Sequence, residues 1–253
     1  MPKIIILGSS NAIPDAHHEN THFVVVGKKR VVLVDCVSNP ILRLKQAGVA
    51  FEQLTDLVVT HFHPDHVAGV PLLLMDMWLM GRREPLHIYG LHHTLDRIEG
   101  MMGFYDWAHW PGFFPVVFHR LPASEKTLVL ECDEMRVLAS PVRHLVPTIG
   151  VRFEFANNGS SAVYSCDTEP CPEVVNLAAG ATVLIHESSG NGPGHTSASQ
   201  AGEIARQSGA AALYLIHYPT GDFNSQELVG EAQKTFGGEV RLAEDFMVIE
   251  PGK

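Results

Sequence analysis

Residues 58–69, "VVTHFHPDHVAG", set His61, His63, Asp65 and His66 within six positions at the end of an apolar run. One residue separates His61 from His63, so in an extended or tightly turning segment both imidazoles project to the same side and can face one ion. Asp65 and His66 lie beyond the turn and are free to face a second ion, or the water between two. Neutral imidazole and carboxylate donors suit zinc first, with manganese or iron open where oxygen ligands are added. A structural zinc is closed by four ligands, often cysteines. This chain offers more histidines and carboxylates than one tetrahedral ion uses, which argues for two ions and an open position.

The same arrangement recurs along the chain. His144 lies shortly after an apolar strand pattern ending at Ser140, Asp167 follows "AVYS", His186 follows "TVLI" and His217 follows "LYLI". Five runs thus each deliver a metal-type ligand at the carboxyl end of a strand, where loops of an open αβ sheet converge on one crevice. A single histidine among fifteen is more often a surface or satisfied buried residue. Recurrence at strand ends is what that bland reading does not explain.

Around these sites, short β-branched runs alternate with helical patterns. Strands are expected at 3–7, 21–26, 30–34, 57–59, 86–89, 127–130, 135–140, 148–154, 162–165, 182–185, 212–216 and 246–250, with "NNGSS" at 157–161 as a hairpin turn. Helices are expected at 40–47, 67–80, 94–102, 197–207 and 225–236, the first with Pro40 just inside its start and Gly48 at its stop. The fold class is α/β (α+β): a four-layer αββα sandwich, two mixed sheets packed face to face with helices outside and the metal site at one edge. Residues 1–253 are read as one domain with two sheet-plus-helix halves, roughly 1–120 and 121–253. The segment 103–118, "GFYDWAHWPGFFPVVF", is rich in aromatics, and core packing, a substrate-facing wall or lid, and a homodimer contact all suit it.

Composition narrows the function classes. A net charge of −10 and a pI near 5.8 count against a protein that binds by blanketing phosphates with cations, so long nucleic acid is an unfavoured partner. Cys36, Cys132, Cys166 and Cys171 form no CxxC pair and are sparse for a disulfide scaffold, which fits a reducing cytoplasm. "MPKIIILGSS" is too short for a signal peptide, and "VPLLLMDMWLM" is interrupted by Asp76, so no membrane span is expected.

At this point the ordered motifs resemble the metallo-β-lactamase fold hydrolases, and within them the ribonuclease Z-like branch. The resemblance covers nearly the whole chain: "LGSSNAIP", "VVLVDC" as the buried strand ending in Asp35, "VVTHFHPDHVAGVPLLL", "SPVRHLVPTIGVRF", "VYSCDT", "VLIHESS", "GHTSASQAGEIA", "LYLIHYP" and "RLAEDFMVIE". It implies that His61, His63 and His144 hold one ion, that Asp65, His66 and His217 hold the other, and that Asp167 bridges them. Two divalent ions are the implied cofactors, Zn2+ first and Mn2+ or Fe2+ as alternatives. They would share a hydroxide with its pKa lowered toward about 7. Asp65 is then placed to orient the attacking hydroxide, His195 becomes the candidate general acid, and Glu187 a partner orienting it. His186 reads as structural, or as a partner behind the ligands.

The departures from the family pattern bear on substrate. Only 22 residues separate His144 from Asp167, and a hairpin uses them up, so the arm that grips tRNA in processing members has no room there. "PDAHHEN" replaces a basic loop, "YGLHH" replaces a glycine-proline helix start, and Cys166 stands where glycine is common. The expected function is a dinuclear phosphodiesterase acting on a cyclic or short nucleotide. Alternatives are a hydrolase of another ester (sulfate ester, lactone or thioester), an authentic tRNA 3′-processing endonuclease, and a metal-binding protein without catalysis.

Overall fold

The computed structural model describes residues 2–221 and 224–252. Fourteen strands form two seven-stranded sheets among the described residues. The first holds β1 (Lys3–Gly8), β2 (His22–Val26), β3 (Val31–Val34), β4 (Asp56–Val58), β5 (Leu86–Leu91), β6 (Val116–Leu121) and β14 (Val248–Ile249), in the order β14-β1-β2-β3-β4-β5-β6. The second holds β7 (Thr127–Glu131), β8 (Met135–Val142), β9 (Thr148–Phe155), β10 (Ser161–Tyr164), β11 (Val183–Glu187), β12 (Ala212–Ile216) and β13 (Glu239–Leu242), in the order β13-β12-β11-β10-β9-β8-β7.

Each sheet is antiparallel on one side and parallel on the other. Strands β3 to β6 run parallel, as do β10 to β13. The inner parallel strands are covered on both faces: "VVLV" of β3 and "SAVY" of β10 are wholly buried. A strand covered on both sides needs a layer on each. Between the sheets, Ile4, Phe23, Val34 and Val58 meet Val151, Phe153, Ile185 and Ile216. Outside the first sheet pack α1 (Pro40–Gln46), α3 (Val70–Leu79) and α4 (His92–Gly103), through Leu44, Leu73, Met77, Leu95 and Ile98. Outside the second pack α5 (Pro172–Leu177), α6 (Ala198–Ser208) and α7 (Ser225–Phe236), through Val174, Leu177, Ala201, Ile204 and Ala232. This is the expected αββα sandwich.

Several boundaries differ from the sequence reading. The helix expected from residue 67 is broken in two: a single turn, α2 (Pro64–Val67), precedes α3. Gly69 lies at the break, where a Cβ would come within 2.7 Å of the Val37 carbonyl carbon, so the chain turns against the β3 loop and does not continue straight. The aromatic segment is not all loop: β6 takes its last three residues, from Val116, and Trp107–His109 form one 3-10 turn. Phe114 is buried and Trp110 stacks on Trp78 of α3, which explains why these rings cluster, while Phe104 is 93% exposed. Strand β13 and helix α5 were missed because a four-residue edge strand and a six-residue helix carry too few periods to stand out. The last strand shrinks to two residues, β14, and joins the first sheet beside β1, so the second half lends an edge strand to the first sheet.

Candidate metal centre

All of the proposed ligands come from the carboxyl ends of strands, or from the loops just after them. Three strand ends around the site turn through left-handed backbone at residues that are not glycine: Asp35 (φ 60°), Cys166 (φ 55°) and His217 (φ 52°). Such positions cost of order 1–3 kcal/mol each and persist only where the surroundings fix them. Here the surroundings are hydrogen bonds. The Asp35 carboxylate accepts from the Thr60 amide (2.8 Å) and hydroxyl (2.8 and 2.9 Å) and lies 2.8 Å from His66 Nδ1. His66 is further tied back by its carbonyl, which accepts from Cys36 N–H at 2.9 Å.

The seven residues read from sequence meet at one place. His61 Nε2 is 3.0 Å from His63 Nδ1, which is 3.2 Å from His144 Nε2. On the other side, His66 Nε2 and His217 Nε2 each stand 3.6 Å from Asp65 Oδ2. Asp167 lies between the groups, its Oδ2 3.6 Å from His66 Nε2 and 3.9 Å from His144 Nε2, its Oδ1 3.5 Å from His217 Nε2. Separations of 3.5–3.9 Å are too long for hydrogen bonds but suit donors gathered around a cation.

The remaining ring nitrogens are held from behind. His144 Nδ1 lies 2.7 Å from the Gly194 carbonyl oxygen, and His217 Nδ1 lies 2.8 Å from Ser189 Oγ, whose hydroxyl donates to the His217 carbonyl at 2.7 Å. His61 Nδ1 meets Thr60 Oγ1 at 3.2 Å and Cys166 Sγ at 3.5 Å. Each of these contacts leaves the opposite nitrogen free toward the cluster. His66 Nε2, His217 Nε2 and Asp167 Oδ1 are buried and have no hydrogen-bond partner among the described residues. Orphaned buried polar atoms are costly, and a divalent cation is what three such atoms facing each other would satisfy. The residues therefore fit the metal that the donor set implies.

Electrostatics agrees with the geometry. Burial first, then the neighbouring His66, holds His61 well below its usual pKa, and burial likewise lowers His144, so both are neutral, the state that binds metal. Burial opposes charge on Asp167, but His217 and His66 outweigh it and keep the carboxyl well below its usual range. Burial also opposes charge on His66, where Asp167 and Asp35 win and raise it. A proton on His66 thus takes a place a cation can fill.

His195 and Glu187 sit beside the cluster. His195 Nδ1 is 3.0 Å from Glu187 Oε1, and its ring stands 5.1 Å from that of His144 and 5.9 Å from that of His217. The Glu187 contact, ahead of the opposing burial, raises the pKa of His195. Glu187 also accepts from the amides of Thr168, Ser189 and Thr196 at 2.8–3.2 Å. Burial pushes its carboxyl up, yet with three amides and an imidazole donating to it we take it as the carboxylate. Strand alternation sends His186 to the opposite face, beside Leu184, where burial lowers its pKa to about 4.

The sequence reading left Asp35 without a role and missed Thr60, Ser189 and Gly194 behind the imidazoles. Asp35 carried a usable signal: it ends a fully apolar strand, as the ligands themselves do. The others carried none, being small residues in loops.

Residues 30–218 match the family profile described as "Beta-lactamase superfamily domain". The chain belongs to this superfamily. Its donor set and family make it a metal-dependent hydrolase. Curated relatives of this superfamily member include Ribonuclease Z of Methanothermobacter thermautotrophicus, 26% identical over 99% of this chain and 97% of the relative. Ribonuclease Z of Mycobacterium sp. (strain KMS) is 29% identical over 99% and 96%. The first alignment spans 306 positions against a chain of 253, so that relative carries insertions absent here. Among solved structures, the metallo-β-lactamase fold protein YhfI of Bacillus subtilis superposes with a TM-score of 0.83 at 22% identity, covering 98% of each chain. The short form of human tRNase Z gives 0.80 at 24%, covering 99% of this chain and 100% of that one. These superpositions carry the fold. No described helix is long and apolar enough to cross a membrane.

Proposed function

We propose that this hydrolase is a dinuclear phosphodiesterase, resembling ribonuclease Z, that cleaves a cyclic or short nucleotide phosphodiester. The observation that carries the reading is the position of Asp167, with one oxygen or the other within 3.9 Å of His66, His144 and His217. From there Asp167 would reach both sets of ligands if two cations were bound. His61, His63 and His144 would hold one ion, Asp65, His66 and His217 the other, with zinc favoured by the nitrogen-rich set. When bound, such ions supply Lewis acidity, activating a water and offsetting charge on phosphodiester oxygens.

The chain's own residues do the rest. Asp65, 15% exposed at the mouth, orients the attacking water. His195, 25% exposed and held through Nδ1 by Glu187, keeps Nε2 to deliver a proton to the leaving oxygen. Residues 1–253 act as one domain, supported by an inner core drawn from both sheets. Four free cysteines fit a cytoplasmic setting. Exposed Phe104, Tyr105, Leu79 and Met80 offer a surface for a homodimer.

A short substrate is favoured over tRNA by the 22-residue interval between His144 and Asp167, which β9 and β10 occupy as a hairpin. The name shared by the curated relatives favours a second reading, 3′-end processing of precursor tRNA. Turnover of bis(p-nitrophenyl) phosphate and 2′,3′-cyclic nucleotides by zinc- or manganese-loaded protein, absent in His66→Ala, is the expected result. Cleavage of a precursor tRNA transcript with no turnover of small diesters selects the second reading. Faster hydrolysis of a sulfate ester, lactone or thioester overturns both. Loaded protein inert on every substrate leaves a metal-binding protein without catalysis.

A further inference from the structure

Glu169 lies two residues past Asp167, and none of the roles above uses it. Its backbone N–H donates to the Arg143 carbonyl at 2.7 Å, an isolated bridge to the chain just past β8. Its Oε1 accepts the Gly194 N–H at 2.9 Å. The carbonyl of that same glycine is the oxygen 2.7 Å from His144 Nδ1. Glu169 therefore grips both the chain neighbour of His144 and the group that bonds its ring.

Gly194 belongs to the loop 188–197, "SSGNGPGHTS", which has no regular structure. Its φ of +79° favours glycine, and a Cβ there would lie 2.8 Å from His144 Nδ1 and 3.0 Å from Leu145 Cγ. The loop thus approaches the imidazole as closely as bare backbone can. A glycine-rich segment of this kind has little internal stiffness, so its placement depends on outside anchors. Glu187 anchors Ser189 near its start and Thr196 near its end. The tip beside His144 is anchored by Glu169.

We propose that Glu169 is a positioning residue: by holding Gly194, it fixes the Nδ1 hydrogen bond of His144 and so aims Nε2 at the metal cluster. A metal-ligating histidine is set in one tautomer and orientation by the acceptor at its other nitrogen. Without the carboxylate, the Gly194 carbonyl is free to leave Nδ1, and the ring loses its fixed aim. The inference rests on His144 being a ligand, as proposed above, and adds a residue that does not touch the ion.

The test compares zinc affinity, by competition with a chromophoric chelator, in full-length wild type, His144→Ala, Glu169→Ala and Glu169→Gln. Glutamine keeps a carbonyl acceptor for the Gly194 amide and drops the charge. Glu169→Ala is expected to weaken zinc binding roughly tenfold, with the urea midpoint of the metal-free protein unchanged, and Glu169→Gln to return to within about threefold of wild type. Wild-type affinity in Glu169→Ala, while His144→Ala loses zinc, overturns the inference alone. Wild-type affinity in His144→Ala overturns the ligand reading and this inference with it. A Glu169→Gln as weak as Glu169→Ala, or a urea midpoint that falls in Glu169→Ala, assigns the effect to charge or to general folding and also overturns it.

Discussion

Asp35 Oδ2 lies 2.8 Å from Nδ1 of His66, and the same carboxylate accepts the amide and hydroxyl of Thr60. One buried side chain thus ties the end of β3 to the loop after β4 and leaves His66 Nε2 facing Asp65 and Asp167. Asp35→Asn keeps the size but places an amide where one carboxylate oxygen now accepts. It is expected to lower metal affinity by about 10–100-fold, measured by chelator competition, with His66 and its neighbours unchanged in identity.

Metal removal should destabilise the fold. Three buried donor atoms without partners among the described residues would be satisfied by bound cations, and binding to the folded state alone stabilises by about 2.7 kcal/mol at a hundred times Kd. In a chain of this size that is a rise in Tm of roughly 5–10 °C on adding zinc to metal-free protein. Differential scanning fluorimetry of His217→Ala should show a clearly smaller rise. An equal rise would place the cations elsewhere.

His195 and Glu187 make a prediction about leaving groups. A general acid contributes about 10²–10⁴-fold when the departing oxygen is a poor leaving group. His195→Ala should therefore lose that much kcat on a nucleotide diester, yet lose under about tenfold on bis(p-nitrophenyl) phosphate, whose phenolate departs without a proton. Equal losses on both substrates would point to a role in binding.

Glu134 governs acid stability at the far end of the sheets. Its carboxylate accepts from the amides of Lys28, Lys29 and Arg30 at 2.7–2.8 Å, clasping the β2–β3 turn to the β7–β8 turn. Partial burial would raise its pKa, but the three amides outweigh it and hold it below the usual value of 4.5. A carboxyl depressed on folding contributes stability above its unfolded pKa and loses it as pH falls through the folded one. Glu134→Ala should cost about 1 kcal/mol at pH 7, since the clasp is largely solvated, or roughly 2–4 °C in Tm. The gap between wild type and variant should narrow as pH falls below 4.5 and close once it has passed the lowered folded-state pKa.

Much of the site was written in local sequence. The ligands are polar residues that end apolar runs, and an apolar run announces a buried strand whatever surrounds it, so His61, His144, Asp167 and His217 could be placed at strand ends before any fold was known. Helix α7 kept its expected bounds because Asn224 caps it and a left-handed Gly237 stops it, both local effects. Tertiary structure decided what depends on residues distant in sequence. It chose which nitrogen of each imidazole faces inward, because the acceptors behind them, Asp35, Ser189 and Gly194, come from other loops. It set the two-residue β14 as an edge, since so short a strand forms only where a neighbour offers unpaired backbone. And it brought Glu169 to Gly194, a contact across 25 residues that no periodicity encodes.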